Sequence, residues 1–413
     1  MNVAEAGLVS PSATARQAQH SGVSMKLGVC FLGGMRYSHP MDSTQEKKWR
    51  LLAEVREMFV VGFSMDWKPH HFTQHAHFYL LPKLPVPLLR YAEILVLAPC
   101  LLFWLIIRHR VRVLIAQSPY EGFAAAWAKK LSGWLGHRVA LVVESHGDFE
   151  VSVFLQRSIR LPWLYRFLMR HATAFAFKHA DILRAVSHST KEQLQHWSPA
   201  KPLVQFPAWT DIDVFLQAGL TYEDHSFQDI LYAGVLIPRK GVHHLINAFA
   251  SMAKDFPQAR LVLVGHEDHI SYTAALKDQM ERYDLNGQIA FVEAMPQADL
   301  AERMRRACVS VLPSTSEGLG RVVIEAMAAG TPVIGSDVGG IPEMVQDGVT
   351  GWLVPPGDED ALADRLRWML EHPEEGREMG RRAHAFAEQF FSTAKYVRHY
   401  DQIFERAESI NEG

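Results

Sequence analysis

Two glutamates eight residues apart lie in a segment of the sequence that contains several glycines, Pro313–Gly330. A strand is predicted to end just before this segment, and a helix is predicted to begin near Gly320. Free backbone N–H groups at such a helix start suit an anion, ideally a phosphate. Glu317 lies in the loop and Glu325 about one and a half turns into the helix, so the pair can reach different hydroxyls of one extended ligand, such as a sugar and a ribose. The spacing alone fits a surface loop and a solvated glutamate equally well.

A second loop carries two adjacent cations. Arg239 and Lys240 lie in the segment Tyr232–Gly241, which follows a predicted strand and precedes a helix at His243. At the mouth of a cleft they are well placed to neutralise a diphosphate. A Pro-Arg-Lys-Gly turn by itself is usually an exposed basic loop. Combined with the glycine-rich loop and its two glutamates, the pattern becomes specific.

Parallel strands must position these loops, and the chain alternates strands with helices throughout. A buried strand from Leu27 to Leu32 is expected to run into a loop at Gly33–Gly34. The other strands predicted in the first half are Phe59–Phe63, Val111–Ala116 and Val139–Val143, with helices at about 44–58 and 122–135. Those predicted in the second half are Asp229–Tyr232, Arg260–Val264, Ile289–Val292, Val309–Leu312 and Pro332–Gly335, with helices at 243–254 and 321–329. This pattern predicts an α/β chain of two Rossmann-like doubly wound domains that face a central cleft, where ligands bind at the carboxyl ends of the strands.

The composition excludes several other classes of protein. Of the 413 residues, 48% are hydrophobic and 21% charged, which suffices for a core without disulfides or metal. The net charge of −3 excludes a globally basic nucleic-acid-binding protein. The three cysteines form no Cys-x-x-Cys pair, which excludes a disulfide scaffold and a cysteine zinc site and fits a reducing compartment. The histidines lack acidic or cysteine partners at ligand spacing, so they are interpreted as loop residues; the densest group is His70, His71, His75 and His77.

Neither export nor membrane spanning is predicted. Residues 1–24 lack the apolar core of a signal peptide and are predicted to be a disordered lead-in, with Met25 as an alternative start. The most apolar stretch, Ile94–Ile107, has 14 residues without a charge but contains Pro99. Because a spanning helix needs about 20 apolar residues, a buried or interfacial helix is predicted here. We therefore expect a cytoplasmic protein.

The second half of the chain resembles the nucleotide-sugar domain of a glycosyltransferase family 4 enzyme with the two-Rossmann GT-B fold. The resemblance covers almost all of residues 229–370, and its matching segments are Gly234–Gly241, Leu261–Gly265, the pair Glu317 and Glu325, Thr331–Glu343 and Asp347–Asp358. The first half is similar more weakly, through Glu144–Asp148, Ala185–Ser187 with Lys191, and Pro207–Phe215. The resemblance implies a retaining glycosyltransferase that moves a sugar from a nucleotide-diphosphate sugar to a hydroxyl acceptor, such as a lipid-linked or polysaccharide precursor.

The same resemblance implies a role for each matching residue. Lys240, with Arg239, would bind the donor diphosphate, and Glu317 would hold hydroxyls of the transferred sugar. Glu325 would hydrogen-bond the ribose, and His146, at the end of a first-domain strand, would contact the donor sugar. Further donor contacts are expected from the backbone at Gly33, Gly34, Gly234, Gly318, Leu319 and Gly320. Neither a cofactor nor a metal is implied, because cations and a helix N-terminus do the leaving-group stabilisation that a divalent ion does elsewhere.

The implied division of the chain follows from the linker, which is predicted near Gln205–Phe215. After the lead-in at 1–24, an acceptor-binding domain is expected at 25–206 and a nucleotide-sugar-binding domain at 207–390. A final helix at 391–413 would cross back to the first domain. Three departures from the family pattern leave the identity of the base open: Val235 in place of an arginine, Pro-Ala-Trp-Thr-Asp at Pro207–Asp211, and Glu293 in place of a glycine.

The reaction expected from the resemblance is a front-face attack. No first-domain carboxylate is an obvious nucleophile, so the leaving phosphate is expected to take the proton of the acceptor. Asp148 is the alternative nucleophile. Glu343 suits the first turn of a helix and is interpreted as structural.

The sequence of the first half gives weaker evidence about the acceptor. Between residues 151 and 200 there are seven Lys or Arg and two acids, and aromatic residues of the run 163–168 interleave with Arg160, Arg166 and Arg170. Such a basic, aromatic helix suits an anionic membrane surface, and a solvated face over a packed core is the equal alternative. Together with Ile94–Ile107 it indicates peripheral contact with the inner face of a membrane.

Three other functions compete with this interpretation. A synthase or phosphorylase of the same fold is disfavoured by the chain length and by the lack of a recognisable pyridoxal-phosphate lysine motif. A non-catalytic sugar-nucleotide-binding protein is disfavoured because His146, Lys240, Glu317 and Glu325 occur together. A nicotinamide dehydrogenase is disfavoured because Phe31–Arg36 is not a Gly-x-Gly-x-x-Gly loop.

Overall fold

The computed structural model of the chain describes residues 27–82, 84, 93–147, 149, 162–219 and 228–412. Within these residues the strands form two sheets, one from each half of the chain. The strands are joined through helices, and nearly all neighbouring strands are parallel. The prediction of two doubly wound α/β domains is confirmed.

The first domain contains eight of the described strands: β1 (Gly28–Tyr37), β2 (Glu57–Ser64), β3 (His70–Gln74), β4 (Ala76–Leu81), β5 (Val111–Ala116), β6 (Ala140–Ser145), β7 (Ile182–Ala185) and β8 (Leu203–Gln205). Their order in the sheet is β3-β4-β2-β1-β5-β6-β7-β8, with β3 antiparallel to β4. The helices are α1 (Ser43–Val55), a π turn at Glu93–Leu97 that leads into α2 (Ala98–His109), α3 (Pro119–Trp134), α4 (Pro162–His179) and α5 (His188–Trp197).

The second domain contains the parallel strands β9 (Asp229–Ala233), β10 (Arg260–Val264), β11 (Ile289–Val292), β12 (Val309–Leu312), β13 (Val333–Ser336) and β14 (Gly351–Val354), in the order β11-β10-β9-β12-β13-β14. Its helices, with a 3-10 turn at Pro238–Lys240, are α6 (Asp213–Gly219), α7 (Val242–Met252), α8 (Ile270–Arg282), α9 (Gln297–Arg306), α10 (Arg321–Ala328), α11 (Ile341–Met344), α12 (Glu359–Glu371) and α13 (Pro373–Phe391). A last helix, α14 (Thr393–Glu412), follows.

The central strands are short apolar runs because helices cover both faces of each sheet. Strand β12 is buried along its whole length, and β5 along nearly all of it. Helix α3 packs closely on the first sheet through buried small residues, which are Ala124, Ala125, Ala126 and Ala128. Burial on both faces is why the hydrophobic runs give the bounds of these strands directly.

Local capping places helix starts at the carboxyl edge of the first sheet. Ser118 directly precedes α3, and its hydroxyl accepts hydrogen bonds from the backbone N–H groups of Tyr120 and Glu121. Ser187 and Thr190 form a reciprocal capping box at the start of α5. Both turns therefore lie at the edge where ligands bind in doubly wound sheets.

Helix α14 returns to the first domain although it follows the second in the sequence. One side of it is buried in the core beneath the first sheet, through Tyr396, Tyr400, Ile403, Phe404 and Ala407. A half-buried side of the helix is held by Arg56, which lies 3.1 Å from Asp401 and 2.9 Å from Glu408. The first domain is therefore completed by the last segment of the chain.

Two predictions about the first half are wrong. Strand β1 does not end at Gly33 but continues to Tyr37, with a register shift between Leu32 and Arg36. The histidine group His70, His71, His75 and His77, interpreted as loop residues, lies in or between β3 and β4, where the antiparallel pairing makes a hairpin with His75 at its turn. The apolar stretch Ile94–Ile107 does form a partly buried helical segment. Across the described residues, no helix is both long and apolar enough to cross a bilayer.

Candidate active site

A cavity of about 780 Å³ lies between the two domains, at the carboxyl ends of strands from both sheets. The first domain contributes residues that follow β5 and β6, and the second domain contributes residues that follow β9, β10, β11 and β12. Most residues predicted for the site line this cavity: His146, Gly234, Arg239, Lys240, Glu317, Gly318, Leu319, Gly320 and Glu325. The fold thus brings together loops that are far apart in the sequence.

The two cations and the loop glutamate form one charged cluster on the second-domain wall. Arg239 and Lys240 occupy the 3-10 turn, which Gly241 ends with a φ of 66°. The Lys240 ammonium pairs with the Glu317 carboxylate, and Arg239 Nη1 lies 3.9 Å from the same carboxylate. Arg239 Nη1 also donates to the carbonyl of Ser316 at 3.2 Å. Two positive charges are therefore held beside the glycine-rich loop, where an incoming anion can share them.

Helix α10 begins directly after this loop. Gly320 precedes it with a φ of 82°, a left-handed conformation that favours glycine. The first-turn N–H groups of a helix have no acceptor within the helix and attract anions. Further along the same helix, burial raises the pKa of Glu325, and nearby Arg321 opposes this effect. A carboxyl group in this position is suited to hydrogen-bond the hydroxyls of a ligand.

The domains touch where the glycine-rich loop meets the end of β6. A Cβ atom on Gly318 would clash with the carbonyl oxygen of His146, so a glycine is needed at this contact. A Cβ atom on Gly339 would clash with the carbonyl oxygen of Glu317. The loop is therefore packed between two backbone segments, which fixes the backbone position of Glu317.

His146 extends from the end of β6 and lines the cavity, with 38% of its side chain exposed. Its Nε2 lies 2.9 Å from a carboxylate oxygen of the buried Glu144. Burial raises the pKa of Glu144, but Arg184 and the hydrogen bonds from His146 and Tyr400 outweigh burial and hold the pKa at about 2. Burial lowers the pKa of His146, and Glu144 opposes this effect. Since the carboxylate can only accept, Nε2 donates, and a neutral ring then keeps Nδ1 as its acceptor.

Two family models match the chain. The model described as Glycosyltransferase Family 4 matches residues 50–214, and that described as Glycosyl transferases group 1 matches residues 222–386. Together they span most of the chain, and each covers most of one sheet. The chain belongs to glycosyltransferase family 4.

Similar proteins carry a range of glycosyltransferase names. The N-acetyl-alpha-D-glucosaminyl L-malate synthase of Bacillus anthracis is 28% identical over 277 residues, which are 65% of this chain and 68% of that enzyme. The phosphatidyl-myo-inositol mannosyltransferase of Mycobacterium tuberculosis is 35% identical over 176 residues, 41% of this chain and 45% of that enzyme. The chain therefore matches less than half the length of this second relative.

A solved structure shares the whole two-domain arrangement of this glycosyltransferase. Anabaena HepE in complex with UDP gives a TM-score of 0.69 at 20% sequence identity, over 93% of this chain and 100% of that chain. At this identity the likeness shows the fold. The GT-B arrangement expected from the sequence is confirmed.

Several residues that line the cavity of this glycosyltransferase were not predicted from the sequence. Gln117, Ser118 and Tyr120 line the first-domain side, where a Ser-Pro helix start after a buried strand is the available signal. His266 and Met295 line the second-domain side after β10 and β11. Beneath the lining, Glu144 was also missed, although a charge within the otherwise apolar β6 is an evident signal.

Gly33 and Gly34 are not among the described residues that line the cavity. A Cβ atom on Gly33 would clash with the side chain of Gln117, and one on Gly34 would lie 3.4 Å from Glu121 Oε1. Gly33 therefore lets β1 pass close to the Gln117 side chain between β5 and α3, whereas the position of Gly34 leaves room for a Cβ atom. Their contact with the donor diphosphate stays a prediction.

Two further acidic residues lie in segments of this glycosyltransferase that resemble the family. Asp148, the alternative nucleophile, lies outside the described residues. Glu343 lies in α11, and its carboxylate accepts hydrogen bonds from the backbone N–H of His188 and from Gln205 Nε2, the latter at 2.7 Å. It thus joins the two domains by hydrogen bonds. In the part of the chain that the structure describes, no group of three or more His, Cys, Asp or Glu side chains is arranged to hold a metal ion.

Proposed function

We propose that this glycosyltransferase is a retaining, metal-independent enzyme that uses a nucleoside-diphosphate sugar. The observation that carries the proposal is the convergence of Arg239, Lys240, Glu317 and the start of α10 on one wall of the cavity. This wall offers a partner to each part of such a donor. Positive charge and helix N–H groups suit the diphosphate, Glu317 suits the sugar hydroxyls, and Glu325 suits the ribose. The UDP bound to HepE, which has the same fold, supports this class of ligand.

Departure of the nucleoside diphosphate is the step that these cations assist. As the bond between the anomeric carbon and the phosphate oxygen breaks, negative charge develops on the diphosphate. Arg239, Lys240 and the N–H groups of α10 are fixed beforehand where that charge appears, which is the most effective form of electrostatic stabilisation. They replace a divalent cation, so EDTA is expected to leave turnover unchanged.

The acceptor hydroxyl is proposed to attack from the face that the diphosphate leaves. A bond forms between the acceptor oxygen and the anomeric carbon, the bond to the diphosphate breaks, and the acceptor proton passes to the leaving phosphate oxygen. Among the described lining residues the carboxylates are Glu317 and Glu325, both assigned to the donor. Retention without a covalent sugar–enzyme intermediate is therefore the route that this lining supports. Closure of the two domains would exclude water from the donor.

We expect one base class among UDP-, GDP- and ADP-sugars to raise the melting temperature of the purified protein in the presence of EDTA. A ligand at about 100 times its dissociation constant stabilises a protein by about 2.7 kcal/mol, which differential scanning fluorimetry detects readily. Glu317→Ala should weaken the shift, because the carboxylate that holds the sugar is gone. Glu371→Ala, at an exposed position on the second domain, is the matched control and should keep the full shift.

The outcomes of this screen separate the candidate functions. Stabilisation together with slow donor hydrolysis supports an enzyme. Stabilisation without hydrolysis or transfer to any acceptor would favour the second candidate, a non-catalytic sugar-nucleotide-binding protein of the same fold. If no nucleotide sugar shifts the melting temperature, the donor site is wrongly assigned.

We also propose that the first domain contacts an anionic membrane surface at the inner face, where a lipid-linked acceptor would reside. Helix α4 exposes 69% of Trp163 and 55% of Phe167, and Arg166 and Arg170 follow them at helical spacing. The π turn and α2 expose further apolar residues, which are Leu95, Val96, Leu97, Trp104 and Ile107. Exposed aromatic side chains beside arginines are typical of surfaces that enter the lipid headgroup region. Arg160, predicted as part of this surface, lies outside the described residues.

The double variant Trp163→Ser/Phe167→Ser should bind vesicles of phosphatidylglycerol and phosphatidylcholine at least about tenfold more weakly than wild type. Burying a large apolar side chain contributes about 1.5–3 kcal/mol, and a tenfold change in affinity needs only about 1.4 kcal/mol. Ile270→Ser is the control, since Ile270 is 82% exposed but lies on the second domain. Vesicle co-sedimentation measures the affinity. Equal binding by wild type and double variant would rule out this surface as the contact.

A further inference from the structure

A buried polar cluster lies behind His146 and joins four parts of the chain. Glu144 comes from β6 and Arg184 from β7, and both are fully buried. Tyr400 comes from α14 and is also buried. The fourth part is the backbone at Phe206 and Pro207, where the chain leaves the first domain. Burial of so many polar groups costs free energy unless each is paired, so the contacts within the cluster show what it holds in place.

Both oxygens of the Glu144 carboxylate are used. Oε1 accepts a hydrogen bond of 2.6 Å from the Tyr400 hydroxyl. Oε2 lies 2.9 Å from His146 Nε2 and 3.2 Å from Arg184 Nη1. The carboxylate therefore has a fixed orientation, with one oxygen turned towards the histidine that lines the cavity.

Arg184 contacts both this carboxylate and the backbone segment that connects the two domains. Its Nη1 donates to the Tyr400 hydroxyl at 3.1 Å, and its Nη2 donates to the carbonyls of Phe206 at 3.2 Å and Pro207 at 2.9 Å. Its guanidinium also lies over the Phe206 ring, 3.9 Å from the ring centre. The crossing helix and the interdomain segment are thus bonded to the same two side chains that hold His146.

We propose that Tyr400 and Arg184 are positioning residues that act through Glu144 on His146, fixing the Nε2–H tautomer and the orientation of the ring in the cavity. The tautomer follows because an ionised carboxylate accepts only, so Nε2 must donate and Nδ1 is the acceptor available to a ligand. Helix α14 follows the second domain in the sequence but packs on the first. Through Tyr400 it thereby determines the tautomer and orientation of His146 on the first-domain wall of the cavity. The kinetic consequence of this inference rests on the proposed function, whereas the tautomer itself does not.

The protonation of His146 reports on this arrangement. Burial lowers its pKa, Glu144 raises it, and Arg184 and Lys48 lower it. Tyr400→Phe removes one hydrogen bond to Glu144 and leaves more of the negative charge for His146, so the pKa of His146 should rise. Glu144→Gln removes the charge altogether, so the pKa should fall and both tautomers should become populated. Opposite shifts in two conservative variants cannot come from general loosening of the structure.

The test is long-range ¹H–¹⁵N NMR of histidine-labelled full-length protein across a pH titration, with the His146 signals assigned from the His146→Gln spectrum. We expect wild type to show an Nε2–H tautomer and the two variants to shift as described. Ile403→Ala is the control, because Ile403 is buried on the same helix without a polar contact to the cluster. It should lower the melting temperature and leave the His146 signals unchanged.

Kinetics with the donor found by the nucleotide screen adds a second measurement. Tyr400→Phe should lower kcat roughly tenfold with little change in the donor KM, because a misoriented ring loses about one hydrogen bond in the transition state. Unchanged His146 signals in Tyr400→Phe and Glu144→Gln would overturn the positioning role whatever the activity. Shifted signals with unchanged turnover would retain the positioning role and show that the contact of His146 with the donor sugar, expected from the sequence, does not contribute to turnover.

Discussion

Lys240→Ala should lower kcat/KM for the donor by about 10²–10³-fold, because loss of one fixed donor aimed at developing charge costs roughly that factor. Lys240 pairs with Glu317 and lies beside Arg239 on the same turn. Removing the ammonium takes away charge where the diphosphate departs and also frees the Glu317 carboxylate. The loss should fall mainly on kcat, since the charge on the leaving group is greatest in the transition state. Steady-state kinetics with varied donor concentration measures both constants.

Two companion variants sharpen this experiment. Lys240→Arg keeps the charge and should recover part of the activity, although its larger guanidinium does not fit the place of an ammonium. Lys254→Ala, at an exposed position just after α7, removes the same charge from the same domain and should behave as wild type. Activity of Lys240→Ala within threefold of Lys254→Ala would show that Lys240 does not stabilise the leaving group.

Several strands buried on both faces could be predicted from the sequence to the residue, and others, such as β6 and β13, to within one or two residues. Arg260–Val264 and Val309–Leu312 have the predicted bounds because each consists mainly of apolar residues and has a helix or turn on either side. The hairpin of β3 and β4 was missed for the opposite reason. It forms the sheet edge, where buried Ala76, Phe78 and Leu80 alternate with polar or half-buried neighbours, and the surrounding histidines resemble a loop.

The donor side of the candidate site could be predicted because its residues are close together in short motifs. Glu317 and Glu325 lie on one loop and helix, and Lys240 lies on one turn. The cluster behind His146 could not be predicted in this way, because Tyr400 and Glu144 are 256 residues apart and meet only after α14 has crossed back. The extension of β1 through Gly33–Gly34 was hidden for a related reason, since the packing partner of Gly33 is the distant Gln117.

Arg184→Met should lower the free energy of unfolding of the first domain by about 3–5 kcal/mol, the usual cost of removing one partner from a buried ion pair. Arg184 and Glu144 are both fully buried, with Nη1 and Oε2 3.2 Å apart. The substitution leaves the Glu144 carboxylate without its positive partner and leaves two interdomain carbonyls without a donor. Arg138→Met, at an exposed position in the same domain, should change stability by no more than about 0.5 kcal/mol. Urea denaturation followed by fluorescence measures the difference.

The pH dependence of that loss identifies its cause. In wild type the pKa of Glu144 is about 2, below its ordinary 4.5, so its contribution to stability is present above pH 4.5 and is lost as the pH falls towards 2. Without Arg184, burial dominates and raises the pKa of Glu144. The difference in free energy of unfolding between variant and wild type should then be greatest at neutral pH. It should become smaller as the pH falls through the raised pKa of Glu144. Adding Glu144→Gln to Arg184→Met removes the unpaired charge and should recover stability at pH 7. Two results together would contradict this explanation: a stability difference that stays constant with pH, and a double variant no more stable than Arg184→Met. They would show that lost packing, and not the buried carboxylate, accounts for the loss of stability.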